Sequence, residues 1–154
     1  MLTLYKPEVS DLWFKEKMLS DEATMAYNRR WGGTLPFPPE RWEAWHKIWI
    51  GIQRKDRFYR YLTQRDGRFV GEVAYRRDGE TGQYLADVII YAPYRRRSYG
   101  REGLELLCRA AKENGILALH DRIARDNGAI ALFLDCGFTE VCRTEEYVTV
   151  KKLL

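Results

Sequence analysis

The middle of the chain alternates apolar and polar residues in the manner of β-strands. Aromatic and β-branched residues dominate residues 58–63 and 69–75, on either side of the turn Arg65-Asp66-Gly67. A second turn at residues 78–82 precedes the strongly apolar run 84–91. Because both turns are short, consecutive strands must run in opposite directions. Residues 58–91 are therefore predicted to form an antiparallel meander.

Helical and extended patterns alternate after this meander. A helix is predicted at residues 99–113, with Leu104, Leu107, Cys108 and Ala111 on one face, and Asn114-Gly115 ends it. The remaining segments are a strand at 116–123, a helix at 128–136 capped by Asp126 or Asn127, and strands at 138–143 and 147–151.

The first third of the chain is mostly helical. A short strand is predicted near residues 2–5, and Asp11 is expected to cap the helix that follows. Gly and Pro break regular structure between residues 28 and 39, and a second helix starts near Pro39. One face of this helix carries an apolar stripe, whose members are Trp42, Trp45, Trp49 and Ile52. Such a stripe is typical of a core face.

These elements predict one α/β domain over residues 1–154. Its sheet is mixed and mostly antiparallel, with about six to seven strands and about four helices on its faces. Residues 58–151 form the core of this arrangement, and residues 1–57 add the helices and the loop beside it.

Composition excludes several classes of protein. The chain of 154 residues is 45% hydrophobic and 31% charged, which is typical of a globular protein. Its net charge of +4 suits an anionic ligand without requiring nucleic acid. Three cysteines without a CxxC pair, together with two histidines, argue against a metal site. With neither a signal peptide nor a membrane-spanning run in the pattern, we expect a cytoplasmic protein, monomeric or homodimeric, that binds no membrane.

The most informative segment is the basic turn at residues 95–100, between an apolar strand and an amphipathic helix. Unpaired backbone N–H groups and the helix dipole favour an anion at such a place. Arg95, Arg96 and Arg97 add positive charge, and Gly100 allows a ligand to approach the backbone. The turn therefore predicts a pyrophosphate site.

Two other interpretations of this turn stay open on the residues alone. Three arginines can form an ordinary solvated turn. The spacing Ser98-x-Gly100-x-x-Gly103 also approximates a dinucleotide-binding fingerprint, with Asp121 near the expected distance downstream. Against the second interpretation, the preceding strand belongs to a meander, and the chain after Gly100 is short for a doubly wound half.

Two motifs in this sequence resemble those of the GCN5-related N-acetyltransferase (GNAT) superfamily. Residues 95–100 are similar to its Arg/Gln-x-x-Gly-x-Gly/Ala turn, with Ser98 in place of the first glycine. Residues 126–138, which run from Asp126-Asn127 to Gly137-Phe138, resemble a second block that begins Asp-Asn and ends Gly-Phe. The resemblance covers residues 58–151 well and the N-terminal third only in outline.

The resemblance implies a GNAT fold that binds acetyl-coenzyme A. The pyrophosphate would lie on the backbone amides of Arg96, Arg97, Ser98, Tyr99 and Gly100, next to Arg95. The pantetheine arm would pair with Ile89, Ile90 and Tyr91, and Asn127 would contact this arm or fix the start of the following helix. Phe133 stands where many members of the superfamily carry a tyrosine that serves the leaving thiolate, and phenylalanine cannot donate a proton.

Three residues are candidates for the base that removes a proton from the amine. Asp87 lies among apolar residues, which would raise its pKa toward the range of a useful base. Glu72 on the preceding strand could line the same cleft, and His120 is a weaker candidate because a lone histidine is more often structural.

The loop and helix before residue 57 occupy the region where the superfamily builds its acceptor pocket. Tyr27, Trp31 and Phe37 are therefore expected to contact the acceptor. The predicted function is acetyl transfer from acetyl-coenzyme A to a primary amine of a small molecule or a peptide, by direct attack on the thioester. The alternatives are a non-catalytic sensor of CoA esters and, less favoured, a nucleic-acid-binding domain.

Overall fold

Seven strands form one continuous sheet across the described part of this computed structural model. The strands are β1 (Thr3–Tyr5), β2 (Arg57–Thr63), β3 (Phe69–Arg77), β4 (Tyr84–Ile90), β5 (Ala118–Ala124), β6 (Thr139–Arg143) and β7 (Tyr147–Leu153). Their order in the sheet is β1-β2-β3-β4-β5-β7-β6, and β4 and β5 are parallel neighbours in an otherwise antiparallel sheet. The predicted meander and fold class are therefore confirmed.

Four α-helices accompany the sheet in the described residues. They are α1 (Trp13–Leu19), α2 (Trp42–His46), α3 (Tyr99–Glu113) and α4 (Ala129–Asp135). The structure describes the backbone of all 154 residues and every side chain except that of Trp31. The bounds predicted for α3 are those observed, because its apolar face and its glycine stop are both local features of the sequence.

The sheet separates two hydrophobic cores. The larger core packs α3 and α4 against one face, where it buries Leu62, Val73 and Leu107. The smaller core packs α1 and the segment around α2 against the other face, where it buries Tyr61 and Phe14. Successive residues of a strand point to opposite faces, which is why neighbours such as Tyr61 and Leu62 join different cores.

Two details of the N-terminal third differ from the sequence-based expectation. Asp11 does not cap α1, because its carboxylate accepts hydrogen bonds from the Tyr5 hydroxyl (2.7 Å) and the Glu8 amide (2.9 Å). Ile52 does not belong to the apolar stripe: the helical segment ends with a π turn at Lys47–Gly51, and the side chain of Ile52 beyond it is 47% exposed. The buried residue of this turn is Ile50.

Candidate active site

A cleft opens where β4 and β5 separate, on the sheet face that carries α1 and α2. Leu85 and His120 are the one residue pair that joins these two strands in the described sheet. Beyond this pair, the edges of β4 and β5 that face each other are not paired with one another. The cleft has a volume of about 550 Å³, which is the size of a small-molecule site. Its walls come from α1, α2 with its π turn, and strands β2, β3, β4, β5 and β7.

Three carboxylates line this cleft, one from each of three adjacent strands. They belong to Glu72 on β3, Asp87 on β4 and Asp121 on β5. Asp87 lies two residues beyond Leu85 and Asp121 one residue beyond His120, so they belong to the two strands that part at the start of the opening. The structure thus brings the two predicted bases into one cleft and adds Asp121, which lies beside His120 on β5.

The carboxylate of Glu72 is committed to a buried ion pair. The Lys15 ammonium lies 3.0 Å from one of its oxygens, and the two side chains are 11% and 4% exposed. Both oxygens of this carboxylate accept hydrogen bonds from the Lys15 ammonium, at 3.3 Å and 3.0 Å, so Glu72 is engaged within the protein.

Aromatic rings surround the ammonium of Lys15. Its Nζ atom lies 4.7 Å from the ring centroid of Tyr59, 4.9 Å from that of Trp45 and 5.9 Å from that of Phe37. Rings at these distances attract a cation through their quadrupoles. Lys15 was missed by sequence reasoning, although a lysine between the apolar residues of a short helix is a signal of a buried partner.

Asp87 and Asp121 have no ion-pair partner among the described residues. Desolvation in the recess raises the pKa of Asp87 to about 6, and the negative charge of Glu72 adds to this effect. Lys15 and Arg76 act in the opposite direction. Asp87 keeps a solvent-exposed surface, because the recess is open at its mouth. Desolvation also raises the pKa of Asp121 well above its usual range, and the charge of Asp87 adds to it.

One buried hydroxyl in the cleft wall lacks a hydrogen-bond partner. Tyr59 is 2% exposed, and its Oη atom has no partner among the described residues. Burial and the nearby charge of Glu72 raise the pKa of Tyr59, so this hydroxyl stays protonated. A buried donor without a partner is costly, and a bound ligand could satisfy it.

Two residues of the basic turn after β4 that are not glycine have backbone angles that glycine favours. Arg96 and Ser98 both have left-handed backbone angles, with φ of 65° and 63°. Ser98 is the N-cap residue of α3, so the serine in place of the first glycine adopts an angle that glycine favours. The first amides of α3, a helix of 15 residues, therefore begin directly at this turn.

The three arginines of the turn have different roles. Arg95 uses its guanidinium to bind the carbonyl oxygens of Ile90 (3.3 Å), Ala23 (3.1 Å) and Thr24 (2.9 Å), so it ties the turn to the segment after α1. Arg96 and Arg97 are exposed and form no ion pair within the described residues. These two side chains are the ones available to an anion.

Most of the other predicted cofactor residues surround the turn and the open edge of β4. Ile89 and Ile90 are buried in opposite cores, and β5 pairs with neither of them. Tyr91 follows the end of β4, and its amide donates to Val70. The hydroxyl of Tyr99 is bound by the Gln64 amide at 2.6 Å.

Gly100 and Asn127 place α3 and α4 relative to each other. A Cβ atom at Gly100 would lie 3.2 Å from Leu132 on α4, so the glycine permits close helix packing in addition to any approach by a ligand. Asn127 accepts a hydrogen bond from the Ala129 amide (2.9 Å), which fixes the start of α4. This is the second of the two roles expected for Asn127.

Phe133 and Phe37 lie in the cores. Phe133 is 3% exposed and packs edge-on against Phe138, with ring centroids 4.9 Å apart, which leaves little surface for a cofactor to contact. Phe37 is 4% exposed and lies behind Trp45, outside the cleft lining. The elements that carry these two rings fold them inward, and their contact with ligands stays a prediction.

The wall of the cleft formed by α2 and its π turn is aromatic. Trp45 and Trp49 line it as half-buried rings stacked 6.0 Å apart, and both also pack against the smaller core, as the helical stripe predicted. Tyr27 is 41% exposed; desolvation of its hydroxyl, and then the charges of Asp87, Glu72 and Asp121, raise its pKa. The side chain of Trp31 lies outside the described residues.

Metal sites and membrane spans are two further features that such a chain could carry. Within the described residues, no group of three or more His, Cys, Asp or Glu side chains is placed to hold a metal ion. No helix in that part of the chain is both long enough and apolar enough to cross a membrane.

Comparison with known proteins identifies the family. The family model described as the acetyltransferase (GNAT) family matches residues 17–138. None of the curated proteins is similar enough to count as a match. Since the match covers well over half of the chain, this protein belongs to the GNAT acetyltransferase family.

Solved structures of the same fold agree with this assignment. Spermidine N-acetyltransferase from Vibrio cholerae, in complex with CoA and spermine, has a TM-score of 0.82 at 16% identity and covers 99% of this chain and 95% of its own. A GNAT acetyltransferase from Streptococcus pneumoniae has a TM-score of 0.79 at 15% identity over 100% of both chains. PaiA N-acetyltransferase from Thermoplasma acidophilum, in complex with coenzyme A, has a TM-score of 0.71 at 13% identity and covers 100% and 99%.

Proposed function

We propose that this protein transfers the acetyl group of acetyl-coenzyme A to a primary amine of a small molecule or a peptide. The observation that carries the proposal is the carboxylate of Asp87, which has no ion-pair partner among the described residues and lies in a cleft between β4 and β5, on the strand that leads into the basic turn. Family membership supports acyl transfer as the reaction. Relatives of the same fold were crystallised with CoA, and one of them with spermine as well.

The cofactor would enter from the basic turn. Its pyrophosphate would bind the amides at the start of α3, with Arg96 and Arg97 neutralising its charge. Its pantetheine arm would lie in the gap between β4 and β5, where the backbone groups beyond Leu85 have no partner on the facing strand. An arm in this gap delivers the thioester to the level of Asp87.

Asp87 would then act as the general base. A free primary amine with a pKa near 10.4 is almost entirely protonated at neutral pH, so a proton must leave before nitrogen can attack. A carboxyl group with a pKa of about 6 is ionised at neutral pH and is a stronger base than an ordinary aspartate. The amine then attacks the thioester carbonyl, and an open N–H of β4 would stabilise the oxyanion.

Glu72 and Lys15 would position the base and the acceptor rather than react. The ion pair at 3.0 Å keeps the negative charge of Glu72 below Asp87, where it helps to raise the pKa of Asp87. Trp45 and Trp49 supply flat apolar surface for the body of the acceptor.

A panel of primary amines tests the reaction, with release of free thiol from acetyl-coenzyme A as the readout. Alkylamines, spermidine and lysine-containing peptides are suitable acceptors. We expect turnover with at least one of them, and we expect Asp87→Asn to lower kcat about 100-fold or more. The rate of the unmodified enzyme should fall as the pH drops through about 6, because the base becomes protonated.

Asp135→Asn is the matched control, since Asp135 is an exposed carboxylate on α4 outside the cleft lining. It should retain full activity. Tight binding of acetyl-coenzyme A without turnover on any amine would favour the CoA-ester sensor instead. Full activity in Asp87→Asn would exclude Asp87 as the base.

A further inference from the structure

The reaction needs a proton donor, and Phe133, which stands where many members of the superfamily carry a tyrosine, does not provide one. When the C–S bond breaks, the coenzyme A sulfur leaves as a thiolate, and protonation makes it a better leaving group. Phe133 has no proton to donate and is buried beside Phe138. Tyr99 is bound by Gln64 and lies outside the cleft lining. Other groups that line the cleft and can carry a proton include Tyr59, Asp121 and Tyr147.

We propose that Asp121 is the general acid of this site and that its carboxyl group gives a proton to the departing sulfur. This inference rests on the proposed acetyl transfer. Asp87 and Asp121 line one cleft from opposite walls, at the point where β4 and β5 begin to separate. An arm that lies in this gap has the β4 wall on one side of its sulfur and the β5 wall on the other.

The surroundings of Asp121 favour its protonated form. Asp121 has no ion-pair partner among the described residues, and the nearest arginine on its own strand, Arg122, is engaged by Asp78 at 3.1 Å. The Arg122 amide donates a hydrogen bond to the Asp121 carboxylate at 2.8 Å, which acts in the opposite direction because it stabilises the charged form. Two carboxyl groups that share one recess do not both ionise readily, so one of them retains a proton.

Charges from several elements act on this pair. The titratable groups that line the cleft besides Asp121 are Lys15 on α1, Tyr59 on β2, Glu72, Tyr75 and Arg76 on β3, Asp87 on β4, Arg122 on β5 and Tyr147 on β7. Lys15 is paired with Glu72 and forms no ion pair with Asp87 or Asp121 among the described residues, although its charge opposes the rise in the pKa of Asp87. Burial and the charge of Asp87 together raise the pKa of Asp121, against the opposing effect of Arg122 and Arg76.

The proposed step balances in atoms and charge. Asp87 takes one proton from the ammonium group of the acceptor, and the neutral nitrogen attacks the thioester carbon. As the tetrahedral intermediate collapses, the C–S bond breaks, the sulfur takes the proton of Asp121, and the nitrogen loses its second proton. That second proton restores the carboxyl group of Asp121 directly or through water, and Asp87 releases its proton to solvent. The net products are the amide, free coenzyme A and one proton.

The pH profile of two variants tests the assignment. A base that must be ionised gives a rate that rises with pH, and an acid that must be protonated gives a rate that falls at higher pH. Asp121→Asn should lower kcat about 100-fold or more and remove the falling limb, while the rising limb near pH 6 stays. Asp87→Asn should remove the rising limb instead.

A change of leaving group separates a proton donor from a merely structural residue. With the S-acetyl ester of an aromatic thiol of low pKa as acyl donor, the thiolate needs little assistance. The activity lost in Asp121→Asn should then shrink strongly relative to the loss with acetyl-coenzyme A. A structural defect would lower the rate with both donors equally.

The wild-type enzyme supplies the same test if Asp121→Asn does not fold. With the aromatic thioester, the decrease of the wild-type rate at high pH should weaken or disappear. A decrease that persists unchanged would overturn the inference. Turnover by the wild type, with an unchanged rate and pH profile in Asp121→Asn, would overturn it while leaving the proposed function intact. The inference would also be overturned if Tyr147→Phe removed the decrease of the rate at high pH and Asp121→Asn did not. Failure of the wild type to release thiol with any amine would instead overturn the proposed function itself.

Discussion

Removal of Lys15 should destabilise this protein more than its single charge suggests. In Lys15→Met, the carboxylate of Glu72 would remain 4% exposed without the cation that now lies 3.0 Å away. Loss of one partner of a buried ion pair typically costs about 3–5 kcal/mol. For a chain of this length each kcal/mol lowers Tm by roughly 2–4 °C, so we expect a decrease of roughly 6–20 °C.

The aromatic cage predicts an asymmetry between the two partners. In Glu72→Leu, the Lys15 ammonium keeps the ring faces of Tyr59 and Trp45 at 4.7 Å and 4.9 Å. Each such contact contributes about 0.5–2 kcal/mol, so this variant should lose less stability than Lys15→Met. The double variant Lys15→Met/Glu72→Leu should recover much of the loss, because apolar residues of similar volume often replace a buried pair without cost.

Urea unfolding, followed by tryptophan fluorescence and by circular dichroism, measures the free energy of unfolding of the wild type, the two single variants and the double variant. Arg101→Met is the matched control, since Arg101 pairs with Glu105 on the surface of α3 with side chains 57% and 50% exposed. It should cost less than about 1 kcal/mol. A loss of the same small size in Lys15→Met, or a double variant no more stable than Lys15→Met, would refute the argument.

Two further comparisons test packing and the basic turn. Gly103→Ala should lose about 1–3 kcal/mol, because its Cβ atom would lie 2.6 Å from Leu62, whereas Gly128→Ala has open space and should be neutral or slightly stabilising in thermal unfolding. A tolerated Gly103→Ala would show that α3 can move away from the sheet. Arg95→Met should lower Tm because it loses three hydrogen bonds to carbonyl groups, each worth about 1 kcal/mol or more. Arg97→Met should leave Tm unchanged and raise the Kd for coenzyme A in calorimetry, and equal effects of the two variants on Tm would contradict the roles assigned here.

Local patterns in the chain were enough to predict most elements and their order. The bounds of α3, the three-strand meander and the position of the basic turn all follow from residue periodicity and from Gly and Pro, which act over a few neighbouring residues. The two motifs then indicated the family, which the family match confirmed. The position of Asp87, a carboxylate within an apolar strand, also follows from the residue pattern alone.

What the local patterns could not show is which side chains meet. Lys15 and Glu72 are 57 positions apart, and their pairing depends on α1 folding over β3. Arg95 looked like a phosphate ligand, yet the chain brings carbonyl groups of Ala23 and Thr24 within its reach. The tryptophan stripe looked like core, but the cleft beside α2 leaves Trp45 partly open.

The cleft carboxylates show most clearly what the sequence determines and what depends on the tertiary structure. The sequence alone determined that Asp87 sits in a buried strand and that Asp121 sits in a later one, since each lies within its own apolar pattern. Only the tertiary structure decided that β5 lies next to β4, that the two strands part after Leu85 and His120, and that both aspartates face one recess. The physical reason is that strand order and separation depend on packing between residues distant in the chain, whereas periodicity reports only on near neighbours.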